Sequence, residues 1–309
     1  MPTPKLKKTM INTKLIALAG GALLGAILMY AELSPIAESY AIDLPYCDTP
    51  AAAPALLATA AFAYDAATGQ ILFDKNSDAQ LPLASLTKVM TVVTALETLS
   101  PTATVTITAD ALTPEGEYGL KVGEKWEAQD LADFTLLGSS NDGARALMLA
   151  SGDGSDAHFY EAMNRYARAL GLQETYFVNE TGLDVSATTA GAYGSARDVA
   201  RLLAHAALAH PALVQGSVFA EKTFVTASGV HKVTNTSLLA STLMAPLASK
   251  TGYTDLAGGN LALVFEPILG HPVAVAVLGS SREQRDADAR AVAVYSKAAL
   301  RKALVCAGN

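Results

Sequence analysis

Apolar positions along the chain fall into two rhythms. In "PLASLTKVMTVVTALE", Val89, Val92, Val93 and Leu96 recur at intervals of three and four, the spacing of one helix face. Comparable patterns predict helices over 129–138, 141–151, 156–170 (ended by Gly171), 195–209 (ended by Pro211) and about 282–305. A different rhythm marks "AAFAYDAATGQILFDKN" at 60–76, two apolar runs around Ala-Thr-Gly that read as a β-hairpin with Gly69 in the turn. Further strands are predicted at 104–108, 223–227, 247–252, 260–266 and 272–279. Strands gather toward the two ends and helices lie between, without regular alternation. This excludes a doubly wound parallel sheet. It predicts an α/β protein of the α+β type, with a mainly antiparallel sheet built from both chain ends.

The first residues follow neither rhythm. Lys5, Lys7, Lys8 and Lys14 precede an uncharged run from Leu15 to Ala31. Its length suits a short membrane span or a long signal-peptide core. Neither Met29-Tyr30-Ala31 nor Pro35-Ile36-Ala37 makes a good cleavage site, so residues 1–31 are expected to be an uncleaved anchor rather than a cleaved signal. The leading lysines keep that end in the cytoplasm and send the remainder out. Residues 32–55, rich in Ala and Pro, read as a tether, and 56–309 as the folded domain.

Composition narrows the function. Apolar residues make up 51% and charged residues 17% of 309, enough to bury a large core. A net charge of −7, with no basic patch beyond the N-terminus, argues against nucleic acid as a partner. The two cysteines, Cys47 and Cys306, lack neighbouring histidines, and the five histidines lack ligand spacing, so no metal site is expected. Export would leave Cys47 and Cys306 either bridged or as two thiols, and both remain open. "GDGSDA" at 152–157 imitates a dinucleotide fingerprint but follows a helix where that site needs a strand. No G-x-S-x-G elbow is present.

Three short motifs remain: Ser85-x-x-Lys88, Ser139-x-Asn141 and Lys250-Thr251-Gly252. Each has a plain explanation taken singly. Ser85 could cap a helix before a solvated lysine, Ser139 or Ser140 could cap the next, and Lys250-Thr251-Gly252 could be a turn. Together, in this order, they suit acyl transfer. A serine hydroxyl needs a base, and a lysine three residues on shares its helix face. That lysine serves as base only if burial or a second cation destabilises its ammonium, and Lys250 could be the cation. Ser139 could pass a proton to the leaving amine, Asn141 could hold a substrate amide, and the backbone N–H groups of Ser85 and Tyr253 would suit an oxyanion hole. Gly252 is expected to leave the substrate room to approach the strand.

With these motifs the chain resembles the D-alanyl-D-alanine carboxypeptidases, low-molecular-mass penicillin-binding proteins of peptidase family S11, from about Ala60 to Ser280. "DAATGQILFDKNSDAQLPLASLTKVMT", "LLGSSNDGARALM", "MNRYARALGLQETYFVNETGLD" and "SKTGYTDLAGG" carry the likeness. The resemblance implies a penicillin-binding-protein or serine β-lactamase-like fold, in which a helical lobe is inserted beside the sheet and the site lies between them. It implies removal of the terminal D-Ala from peptidoglycan stem pentapeptides through an acyl-enzyme on Ser85, with Lys88, Ser139 and Asn141 catalytic. Lys250, Thr251, Gly252 and Tyr253 would bind substrate. No cofactor would be needed, and β-lactams would inhibit covalently.

The chain departs from the family's pattern at Glu180 in "NETGL", where proline is common, and at Ala248-Ser249 before Lys250. Its last predicted helix runs almost to Asn309, so the second β-rich domain and C-terminal anchor of many relatives are not expected. Alternative readings on the same motifs are a DD-endopeptidase, a serine β-lactamase with Glu180 as deacylation base, and a non-catalytic penicillin-binding scaffold.

Overall fold

The computed structural model describes residues 52–306; the expected anchor, most of the tether, and Cys47 of the possible Cys47–Cys306 bridge lie outside them. Among the described residues no helix is long and apolar enough to cross a membrane.

The chain opens with the hairpin β1 (Ala60–Asp65) and β2 (Ile71–Lys75), then a short β3 (Leu81–Pro82) and helix α1 (Thr87–Thr98). Strands β4 (Thr104–Thr106) and β5 (Lys125–Glu127) pair across a long loop before α2 (Ala128–Gly138), α3 (Asn141–Ala150) and α4 (Asp156–Ala169). Two short strands, β6 (Tyr176–Phe177) and β7 (Ala192–Gly194), precede α5 (Ala196–Ala209) and α6 (Pro211–Val214). A hairpin of β8 (Glu221–Thr226) and β9 (Gly229–Thr234) leads to β10 (Pro246–Thr254), β11 (Gly258–Ile268), β12 (His271–Ser280) and α7 (Arg285–Cys306).

The main sheet runs in the order β10-β11-β12-β1-β2, each neighbour antiparallel, so both ends of the chain build it as the pattern predicts. β11 and β12 are apolar on both faces because both are covered. Val273, Val275 and Val277 join a core with Val292 and Leu300 of α7. The smaller Ala274 and Ala276 face a second core, which gathers Val92, Leu131, Leu147, Met163 and Leu203 from α1 to α5. Each large side chain so buried contributes about 1.5–3 kcal/mol. Asp288 ties α7 to the start of β1, accepting from Ala58 N at 2.8 Å and Ser280 Oγ at 2.6 Å.

The pattern missed β9, β5 and the short strands β3, β6 and β7. β3, β5, β6 and β7 have two or three residues each, too brief for alternation to register, and the six-residue β9 buries no position, so it carries no apolar alternation. "GDGSDA" spans the loop after α3 and the first two residues of α4, and in that loop Gly152 and Gly154 have φ of 62° and 71°.

Candidate active site

Between β3 and α1 the chain makes a tight 3-10 turn, Ala84–Leu86, with Ala84 at φ 50°. A positive φ at a residue with a Cβ is unfavourable by roughly 1–2 kcal/mol, so neighbours must hold it there. Asn260 of β11 does so: buried, it donates Nδ2 to Pro82 O at 2.9 Å and Leu83 O at 3.1 Å, and accepts from Gly279 N at 2.8 Å. Gly182 packs so closely that a Cβ there would collide with the Ala84 carbonyl.

The turn decides what Ser85 does. Leu86, not Ser85, occupies the cap position of α1, and no side-chain cap bond is made there. Ser85 Oγ instead accepts a hydrogen bond from Lys88 Nζ at 2.8 Å. Lys88 is fully buried and also donates to Thr181 O at 2.7 Å. Burial pulls its pKa down to about 7, opposed by the carboxylate of Glu180.

Ser139 and Asn141 come from the break between α2 and α3. Ser140 caps α3, accepting from Gly143 N at 2.9 Å, which leaves Ser139 in the left-handed region at φ 59°. Its Oγ accepts from Lys250 Nζ at 2.9 Å. Asn141 donates Nδ2 to Glu115 O at 2.6 Å, while its Oδ1 is buried with no hydrogen-bond partner among the described residues. An unpaired acceptor held this way is poised for an incoming N–H.

Strand β10 supplies the opposite wall. Lys250 is buried and donates also to Thr251 O at 2.8 Å, and Thr251 Oγ1 shares a 2.6 Å hydrogen bond with Thr236 Oγ1. Tyr253 is exposed, with the Arg282 guanidinium 5.1 Å from its ring centre. Gly252 has a task beside the one expected. A Cβ there would lie 2.9 Å from Leu83 O and 3.2 Å from Ser85 N, so the glycine lets β10 abut the serine turn. Arg285, at the start of α7, braces this strand from behind through Gly252 O at 3.0 Å and Thr236 O at 3.3 Å.

The charge relation between the lysines also differs from expectation. Lys88 owes its low pKa to burial. Lys250 is pushed well below the ordinary lysine range by burial first, then by the charges of Lys88 and Arg285. Two buried amines with a guanidinium behind them form a site short of negative charge.

All eight candidate residues therefore meet at one place. Sequence reasoning missed Thr181, Asn260 and Arg285. Asn260 carried a signal, as a lone amide in the apolar run "NLALVF"; Arg285 had none among its charged neighbours. Glu180, the suspected deacylation base, has its carboxylate engaged elsewhere, by Tyr160 Oη at 2.6 Å and Arg145 Nη1 at 3.6 Å.

A family model described as D-alanyl-D-alanine carboxypeptidase matches residues 48–282. The carboxypeptidase DacA of Escherichia coli K12 is 32% identical over 238 residues, 73% of this chain and 57% of that protein. A D-alanyl-D-alanine endopeptidase of Pseudomonas aeruginosa is 34% identical over 171 residues, 54% of this chain and 53% of that one. The chain spans about half the length of the curated relatives it matches. Among solved structures, penicillin-binding protein D2 of Listeria monocytogenes, in its ampicillin-bound form, aligns with a TM-score of 0.69 at 29% identity. It covers 80% of this chain and 99% of that one. The Streptomyces K15 DD-transpeptidase aligns at 0.71 and 26% identity, over 80% of this chain and 99% of that chain.

Proposed function

The chain belongs to the D-alanyl-D-alanine carboxypeptidase family, and we propose that it is itself a serine-type carboxypeptidase trimming the terminal D-Ala from peptidoglycan stem pentapeptides. One observation carries the reading above the others: a buried lysine with a pKa near 7 in direct hydrogen-bond contact with a serine hydroxyl. An amine that is substantially neutral at pH 7 can take a proton that an ordinary lysine cannot.

In this reading Ser85 Oγ attacks the carbonyl of the penultimate D-Ala and its proton passes to the Lys88 amine. The backbone N–H groups of Ser85 and Tyr253 receive the developing oxyanion. The C–N bond breaks, and the leaving D-Ala amine is protonated through Ser139, which bridges to Lys250. Asn141 Oδ1 accepts the amide N–H of the bound peptide. Lys250 and Thr251 receive the terminal carboxylate, which supplies the negative charge the site lacks. Water then adds to the ester carbonyl, the bond to Ser85 Oγ breaks, and the hydroxyl regains a proton. None of these steps calls on a cofactor. β-Lactams would acylate Ser85 by the same attack. We place this chemistry outside the cytoplasm, held to the membrane by residues 15–31, on the strength of the lysines that precede the apolar run.

The endopeptidase among the relatives supports a second reading on the same residues. Mass spectrometry separates the two: the protein is incubated with a stem pentapeptide, with a cross-linked peptide dimer, and with benzylpenicillin. Loss of one D-Ala from the pentapeptide and a penicilloyl adduct are expected. Cleavage of the dimer alone would establish the endopeptidase, and no reaction with any of them would leave a non-catalytic module.

A further inference from the structure

We propose that Glu180 is a positioning residue for the Lys88 base: its carboxylate, fixed on the loop that holds the buried amine, sets the pH range over which Lys88 can take the proton from Ser85. The proposal rests on the acyl-transfer reading above and deepens it.

The loop around Glu180 wraps the base from behind. Lys88 Nζ donates to Thr181 O at 2.7 Å, and Thr91, one helical turn further along α1, donates Oγ1 to Glu180 O at 2.6 Å. These two contacts use only main-chain oxygens of the loop. Any residue at position 180 could supply them, so they do not explain a carboxylate there.

The side chain itself is only 5% exposed, an expensive place for a charge without a use. One oxygen accepts from Tyr160 Oη of α4 at 2.6 Å, which fixes its direction. The other lies 3.6 Å from Arg145 of α3, but that guanidinium is held more closely by Asp156 at 2.9 Å and Asp110 at 3.1 Å. Three carboxylates therefore surround one guanidinium, and the cluster keeps surplus negative charge. The field of the Glu180 carboxylate reaches Lys88, whose amine is bonded to Ser85 on its own turn and to the loop at Thr181 O.

The sign follows. Burial drives the proton off Lys88, whereas Glu180 draws it back. Without that pull the amine would be neutral to lower pH, but it would also be a weaker base when the serine proton has to move. The same network carries a bond from α3, which begins with Asn141, to the loop that holds Lys88. Base and amide-binding group thus share one support.

The test is Glu180→Gln in the full chain. Glutamine keeps the shape and can still accept from Tyr160, but carries no charge. Acylation by benzylpenicillin is followed from pH 5 to 9 for both proteins. The wild-type rate should rise through about pH 7. In the variant that rise should move to lower pH by about half a unit or more, with a lower plateau, while Glu180→Asp restores the wild-type midpoint. A lower plateau with no change of midpoint would make Glu180 a packing residue and overturn the proposal. So would an unchanged acylation profile with a longer-lived penicilloyl adduct, the outcome for a deacylation base. If neither protein is acylated, the carboxypeptidase reading itself fails. The charge effect is then read directly from the ¹⁵Nζ NMR titration of Lys88, identified by its loss in Lys88→Met. A lower midpoint in Glu180→Gln sustains the electrostatic role, and an equal midpoint removes it.

Discussion

Two serine–lysine pairs meet at the site, and they are built in opposite ways. Ser85 and Lys88 are three residues apart, joined at 2.8 Å within one turn of chain. Ser139 and Lys250 are 111 residues apart, joined at 2.9 Å only because the end of α2 docks against β10. The contacts are nearly identical, yet their surroundings are not. The carboxylate of Glu180 holds the proton on Lys88, while Lys88 and Arg285 help drive it off Lys250. The local pair is therefore equipped to trade a proton by itself. The long-range pair waits for negative charge to arrive, and a substrate carboxylate would bring it.

The comparison breaks most completely at Ser85. Ser85→Ala removes the proposed nucleophile, so D-Ala release and the penicilloyl adduct should both vanish, as read by mass spectrometry of the intact protein. Because Leu86 and not Ser85 occupies the cap position, stability should change by less than the roughly 0.5–2 kcal/mol that loss of a cap costs. An adduct on the folded variant would show that the nucleophile lies elsewhere.

A smaller effect is expected from the long-range pair. Lys250→Ala leaves Ser85 and Lys88 in place but removes a charged hydrogen-bond donor for the carboxylate. Such a bond is worth about 1.5–3 kcal/mol, which corresponds to about a 10–100-fold fall in kcat/KM. The informative measurement compares a D-Ala-D-Ala peptide with its C-terminal amide. Wild type should favour the free acid strongly and the variant should not. Equal preference in both would mean that Lys250 serves only the proton path through Ser139.

The same contrast explains what the sequence could reveal. The apolar stripe of α1 and the Ser85–Lys88 spacing are local, and both were legible as pattern. Lys250 was legible only because its motif is known to travel with the other two. Its partnership with Ser139 depends on docking that no spacing encodes. Gly252 shows the limit well: its need for a missing side chain could be read, but the object occupying that space could not. The backbone of Leu83 and Ser85, which a Cβ there would crowd, is brought to Gly252 by the fold. Thr181 and Arg285 contribute through a carbonyl and from behind a strand, roles that residue type does not announce.

Asn260 offers the mildest perturbation and the sharpest test of how the local pair is held. Its amide binds Pro82 O, Leu83 O and Gly279 N, three main-chain groups from the serine turn and the neighbouring strand. Asn260→Ala leaves those groups without a partner inside a buried region, which should cost about 1–3 kcal/mol in urea unfolding. The chemistry should survive, since Lys88 still reaches Ser85 across one turn. Acylation should slow by less than in Lys250→Ala, because the turn with Ala84 at φ 50° loses one of its restraints while Gly182 and Gly252 still pack against it. Asn260→Asp divides the two contributions. It keeps the acceptor for Gly279 N and loses both bonds to the turn, so it should slow acylation as much as alanine does. If aspartate acylates at the wild-type rate, the bonds to Pro82 and Leu83 do not position Ser85, and the restraint lies with the glycines alone.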